Sequence, residues 1–260
     1  MMRGGVALAV TVLLAMVAGC GRATGGPAST ATQAGHHGIV ALGDSVPRGT
    51  NCDCTPYPPL TAESVSGTSG YRVTATNDAV GGYTSSDVLH QLDADGAAGR
   101  HVGDADAVEI EVGANDVAYT ENCGTDLSCY TAEIPQVEEN LTRIVARVHE
   151  LTGGAPVLVV LLDYWSVWLG GTYAAAQGDA YVATAQALTD AINAAIRSVA
   201  TATGSAYVDL RAAFKGPDYA YDETHYLSDD GDHPNAAGHE QIAAATADVI
   251  ETALSGRSAH

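Results

Sequence analysis

Ser45 ends the run Ala41-Leu42-Gly43-Asp44-Ser45, which closes an apolar stretch that begins at Ile39. A serine hydroxyl is a weak nucleophile near neutral pH. It attacks an acyl carbon only with a base within hydrogen-bond reach and a third group holding that base. Late in the chain, Asp229-Asp230-Gly231-Asp232-His233-Pro234 supplies both kinds of group on one short loop. A carboxylate three residues before an imidazole can fold back onto one ring nitrogen and leave the other facing Ser45. Pro234 restricts His233 to an extended backbone and suits the start of a helix, which places the histidine at a turn. Asp229 and Asp232 compete with Asp230 for the orienting role, and residue types alone do not choose among them. Catalysis by such a group rises with pH as the histidine loses its proton.

Acyl transfer also needs hydrogen-bond donors for the oxyanion that develops on the substrate. Two stretches offer suitable types: Gly81-Gly82, and Gly113-Ala114-Asn115-Asp116. Glycine lets a backbone N–H approach a ligand closely, and asparagine brings two donors without charge. Taken singly, each stretch reads equally well as a turn at the end of a strand. Their order and spacing carry more. Gly43-Asp44-Ser45, Asn77 followed by Gly82, Gly113 to Asp116, and Asp230 to His233 together resemble the four blocks of the SGNH (GDSL-type) serine hydrolases, from about Ile39 to Leu254.

That resemblance implies a metal-independent serine esterase with Ser45 as nucleophile, His233 as base and Asp230 as its orienting partner. It implies oxyanion donors from the backbone of Ser45, the backbone of Gly82 and the side chain of Asn115, and no cofactor. Counting five from Asn77 favours Gly82 over Gly81. A polysaccharide or cell-wall O-deacetylase would use the same residues. A catalytically silent binding lipoprotein, keeping the fold for its pocket, is the reading from another class; the intact set of residues argues against it.

The elements that must position these residues alternate short apolar runs with helical patterns, the signature of a parallel sheet covered on both faces. Strands are expected from Ile39, over Tyr71 to Val80, Ala107 to Val112, Ala155 to Leu162 and Ala206 to Leu210. Ile134, Val137, Leu141, Ile144, Val148 and Leu151 keep a three-and-four spacing that predicts an amphipathic helix. Val182, Ala185, Ile192, Ile196 and Val199 predict another, and the stretch from Ile242 onward the last. The fold class expected is a three-layer α/β/α sandwich. The resemblance makes its five-stranded parallel sheet run in the order 2-1-3-4-5. Glu109 and Glu111 are out of place on a central strand, since burial of an unpaired charge is costly. They are expected either to meet Arg143 or Arg147 or to face water near the sheet's edge. Tyr164 and Trp165, just after the fourth strand, are candidates for the wall of a substrate pocket, with Trp168 close behind; packing beneath a long loop is the alternative.

A chain of 260 residues with 46% hydrophobic content can bury one full core. Its formal net charge of −20 argues against nucleic acid and against electrostatic adhesion to anionic lipid. The substrate expected is a small-molecule or glycan ester, and the protein a monomer. Arg3, the apolar run Val6 to Val17 and the lipobox-like Val17-Ala18-Gly19-Cys20 read as a signal peptide over residues 1–19. The implied cleavage leaves a lipid on Cys20 as the membrane contact, a non-lipidated secreted form being the alternative. Residues 20–38, rich in Gly, Ala, Ser and Thr, read as a tether, and 39–256 as the hydrolase domain. His36 and His37 are expected to be solvated.

Four cysteines remain for an oxidising compartment. Cys123 and Cys129 are the preferred pair, leaving Cys52 and Cys54 to close a tight ring or stay reduced; the alternative ties the two loops together. No metal site is expected. Cys-x-Cys is not the usual zinc spacing, the acidic loop lacks the downstream ligand of a calcium loop, and His225 and His239 read as surface or supporting groups.

Overall fold

The computed structural model describes residues 36–93 and 96–257. The expected signal peptide, the Cys20 lipidation site and the tether up to residue 35 lie outside them. In chain order the elements are β1 (His36–Gly43), α1 (Ser45–Arg48), α2 (Tyr57–Ser69), β2 (Arg72–Asn77), α3 (Ser85–Asp93), α4 (Ala97–Gly103), β3 (Ala107–Glu111), α5 (Leu127–Thr131) and α6 (Ile134–Leu151). Then come β4 (Leu158–Leu162), α7 (Gly171–Ala175), α8 (Asp179–Thr203), β5 (Ala206–Val208), α9 (Leu210–Lys215) and α10 (Ala236–Arg257).

Leu158 to Leu162 carries no polar side chain, so neither face of this strand suits water; as β4 it is buried throughout. It pairs in parallel with β3 and β5, and the whole sheet runs β2-β1-β3-β4-β5 with every pair parallel. Helices α2, α9 and α10 pack together on one face, and α3, α4, α6 and α8 on the other. This is the expected three-layer sandwich. In α6, Val137, Leu141, Ile144 and Val148 of the expected stripe are buried, with Val145 beside them, while Ile134 and Leu151 at its ends are half-buried.

Two details differ from the sequence reading and a third narrows it. β1 starts at His36 rather than Ile39, because parallel pairing uses the backbone: His36 sits opposite Arg72, and His37 also meets the Asp106 carboxylate at 3.2 Å. Helix α2 had no sequence signal of its own. It opens on two prolines, which suit a first turn, and buries only Tyr57, Pro58, Thr61, Ala62 and Val65. His239, on α10, is fully buried, which removes the surface alternative for it and leaves that of a supporting group.

Glu109 and Glu111 are also fully buried, which overturns both expectations for them. Arg147 instead pairs with Glu150 at 3.0 Å, and Arg143 is exposed. Among the described residues the Glu109 carboxyl has no hydrogen-bond partner, and the Tyr57 hydroxyl on α2 is the donor that stands against Glu111. Burial pushes both groups well above the usual carboxylate range, so they are held in the neutral form. The folded state therefore holds a proton at each that the unfolded chain gives up near pH 4.3. Stability falls as pH rises above that value, by up to about 1.4 kcal/mol per pH unit for each such proton. Glu109→Gln, of the same shape and never charged, is expected to match the parent near pH 4.5 and to become progressively more stable than it towards pH 8. Urea midpoints at the two pH values decide this; a difference that does not grow with pH would show Glu109 ionised in the fold.

Candidate active site

The carboxyl ends of β1, β3 and β4 open onto one cavity of about 370 Å³, lined among others by Ser45, Asn115, Tyr164, Trp165, Trp168 and His233. Edges of this kind are where α/β sheets place ligands. Ser45 starts α1 directly after β1. Gly43 makes that turn possible. Its φ of 143° and its approach to the Glu111 carbonyl, into which a Cβ would collide, leave room for no other residue. Asp44 caps the short helix, accepting from Val46 N at 3.1 Å on one oxygen and from the Tyr164 hydroxyl at 2.7 Å on the other. Burial raises the Asp44 carboxyl to about 6, against the lowering pull of these two donors and of His233.

Ser228 to Pro234 folds back on itself, with Ser228 N–H donating to the His233 carbonyl at 2.8 Å. Within this loop Asp230 wins the orienting position. One oxygen accepts the backbone N–H groups of Asp232 and His233 at 3.0 Å each, and the other meets His233 Nδ1 at 2.7 Å. Asp232 stays 3.9 Å from Nδ1, and Asp229 makes no contact with the ring among the described residues. Partial burial would raise the Asp230 carboxyl, but hydrogen bonds from His233, Asn51 and Asp232 outweigh it and hold it down to about 2. The group is thus a carboxylate across the working pH range. Its grip on Nδ1 directs the other ring nitrogen away from the loop.

Asn115 leads a short turn after β3, and its amide donates to the Tyr83 carbonyl at 2.9 Å. One of its two amide hydrogens is spent on this anchor, and the other remains for a ligand. Tyr83 closes the turn that contains Gly81 and Gly82, its N–H donating to Val80 O at 3.2 Å. Gly81 abuts Ser45, since a Cβ there would lie 4.0 Å from the Ser45 Cβ. Gly82, with φ of 84°, follows in the left-handed region and is not among the residues lining the cavity. Among the described residues no hydrogen bond takes up the backbone N–H of Ser45 or Gly82. Asp116, next to Asn115, holds the start of α3 through Ser85 N at 2.8 Å and Ser85 Oγ at 2.6 Å. Asn115 is thereby fixed from both sides.

The sequence matches the GDSL-like lipase/acylhydrolase family over residues 41–241. The chain belongs to that family. It is a hydrolase of ester bonds. Among solved structures, a lipase from a goat rumen metagenome superposes with a TM-score of 0.64 at 20% identity, covering 81% of this chain and 95% of its own. An acetylxylan esterase from Geobacillus stearothermophilus gives 0.59 at 20% identity, with 84% and 95% covered. A lipase/acylhydrolase from Enterococcus faecalis gives 0.56 at 22% identity, with 83% and 96% covered. At these identities the likeness speaks for the fold. No curated protein sequence matches the chain.

Tyr164 and Trp165 do line the cavity, and both are almost fully buried, so packing and lining are the same fact here. Trp165 stacks on Phe214 at 4.3 Å between centroids. Trp168 donates its indole N–H to Val117 O at 2.9 Å and meets Tyr119, Tyr130 and Tyr181 edge-on or tilted. Tyr119 and Tyr181, also lining the cavity, carried no signal in the sequence because they come from a loop and a distant helix. Cys123 pairs with Cys129 as expected, and Cys52 with Cys54; the tie between the two loops does not form.

Proposed function

We propose that this family member is an extracytoplasmic serine esterase that works through a Ser45-His233-Asp230 acyl-enzyme mechanism on esters with an apolar acyl group. The observation that carries the reading is the convergence of Ser45, Asn115 and His233 on one cavity with Asp230 bound to the far nitrogen of the imidazole. Ser45 Oγ attacks the carbonyl carbon while His233 Nε2 takes its proton. The carbonyl oxygen, now an oxyanion, is met by the free Asn115 N–H and by the backbone N–H groups of Ser45 and Gly82. Collapse breaks the ester C–O bond, and His233 returns the proton to the departing alcohol. Water, deprotonated by the same nitrogen, then releases the acid and restores Ser45. Asp230 stays charged throughout and only holds the ring.

The apolar side chains in the cavity wall, Val46, Ala114, Val167 and Leu169, can take up an acyl chain. Each CH₂ buried against them is worth about 0.8 kcal/mol, roughly fourfold in kcat/KM. A series of p-nitrophenyl esters is expected to show activity climbing from acetyl with chain length until the cavity is full. Acetyl esters or acetylated xylan as the best substrates would instead establish the deacetylase reading.

Export is supported by the lipobox-like sequence ending at Cys20 and by the two cysteine pairs, which form in oxidising compartments. Mass spectrometry of the mature protein is expected to find Cys20 first and lipid-modified. An unmodified terminus beyond Cys20 would make it a secreted, lipid-free protein.

A further inference from the structure

Asn51 belongs to none of the sequence blocks that identify the site and lies 179 positions from Asp230, yet its side-chain amide donates to Asp230 Oδ2 at 2.6 Å. That is the oxygen His233 Nδ1 uses at 2.7 Å. With Oδ1 occupied by two backbone N–H groups, Asn51 completes the carboxylate's shell. Charge-assisted bonds of this length are among the stronger ones in proteins.

The backbone around Asn51 is built to hold it there. Its φ is 57° and that of Asp53 is 48°, a left-handed region that asparagine and aspartate tolerate better than other side chains. Between and beyond them, Cys52 joins Cys54 in a small ring. The Asn51 carbonyl accepts the Ser228 hydroxyl at 3.1 Å, a second contact with the loop that carries Asp230 and His233. One residue earlier, Thr50 N–H donates to the Ser45 carbonyl at 3.0 Å. Asn51 therefore links the segment that presents Ser45 to the loop that presents its base.

We propose that Asn51 is a positioning residue: its amide fixes the Asp230 carboxylate against His233 and shares the negative charge on Oδ2. The inference rests on the Ser45-His233-Asp230 reading above. Without the amide, the two backbone N–H groups on Oδ1 still keep the carboxylate beside the ring, but Oδ2 is aimed less sharply at Nδ1 and its undivided charge favours the protonated imidazole more strongly. Turnover then falls, and a higher pH is needed to free the base. The other groups that face His233 are Asp44, Asp232 and His239, and none of them changes in the variants below.

The test uses the full mature chain with Asn51→Gly, which accepts the left-handed backbone and removes only the amide, and Asn51→Asp, which keeps the size but replaces the donor by a second carboxylate. In Asn51→Gly, kcat is expected to fall roughly tenfold, the size of one charge-assisted hydrogen bond at a partly exposed carboxylate, with KM unchanged. The acid limb of kcat/KM against pH is expected to move to higher pH, and farther in Asn51→Asp. A folded Asn51→Gly with parental kcat and an unmoved limb would overturn the inference. So would a loss of kcat that tracks a lowered melting temperature while the limb stays in place. If Asn51→Gly does not fold, the limb in Asn51→Asp decides in the same way. Ser45→Ala assayed alongside separates the two failures: activity surviving it sinks the serine mechanism, whereas activity that needs Ser45 but ignores Asn51 sinks only this inference.

Discussion

Ser45→Ala is expected to lower kcat by about six orders of magnitude, and His233→Ala by nearly as much, because an unactivated hydroxyl and an absent one are almost equally inert. The double variant should be no worse than either single one, since both remove the same covalent step. Asp230→Asn should be milder, at about 10⁴-fold. Its amide cannot hold His233 in the right tautomer, but Asp232 at 3.9 Å from Nδ1 is the next carboxylate and can take part of the orienting role. Asp230 is held down to about 2, so its own titration cannot produce an acid limb in the neutral range. Steady-state kinetics on one activated ester, with phosphonate labelling followed by peptide mass spectrometry, gives the whole set. Label on any serine other than Ser45, or hydrolysis that survives Ser45→Ala, would remove Ser45 from the nucleophile's place.

The parts of this arrangement that were legible in the sequence are those whose signal is local. β4 is readable because five consecutive apolar residues suit a strand covered on both faces, and α6 because its buried positions recur at the helical period. Ser45, Asn115 and His233 are readable because each sits at the end of an element, where a short motif marks the turn. α2 was not, since its buried stripe of Tyr57, Thr61 and Val65 mixes polar types and lies among serines and threonines. Nor was the pairing of β1 from His36 onward, where two histidines hide a strand held by its backbone.

Other features lie beyond residue types and spacing, because they depend on contacts made across the fold. Residue types left Asp229, Asp230 and Asp232 open as the partner of His233, since that depends on how a loop closes, and only the resemblance to the SGNH hydrolases chose Asp230. The hydrogen bond of Asn51 to Asp230 and that of Ser85 to Asp116 join residues far apart in the chain. Glu109 and Glu111 alternate with apolar residues as a half-exposed strand would. Only the packing of α2 and α10 over that face shows it to be closed, and burial then settles their protonation in a way the pattern could not.

Asn115→Ala is expected to lower kcat by about 10²–10³ while leaving KM little changed, the effect of losing one preorganised donor that acts on the oxyanion and not on the ground-state carbonyl. The geometry makes the test clean. The Tyr83 carbonyl takes one amide hydrogen at 2.9 Å, so the amide cannot rotate freely and its second hydrogen is aimed before substrate arrives. Asn115→Asp is the sharper variant, because it preserves shape while turning the donor into an acceptor whose charge opposes the oxyanion; it should lose more than Asn115→Ala. The lost bond to Tyr83 should cost only about 1 kcal/mol of stability, so melting temperature and catalysis will part company. Inactivation by a phosphonate ester, whose phosphoryl oxygen gains negative charge as the serine adds to phosphorus, should slow in parallel with kcat. A variant with parental kcat and a raised KM would place Asn115 in ground-state binding, and would leave the backbone N–H groups of Ser45 and Gly82 to stabilise the oxyanion alone.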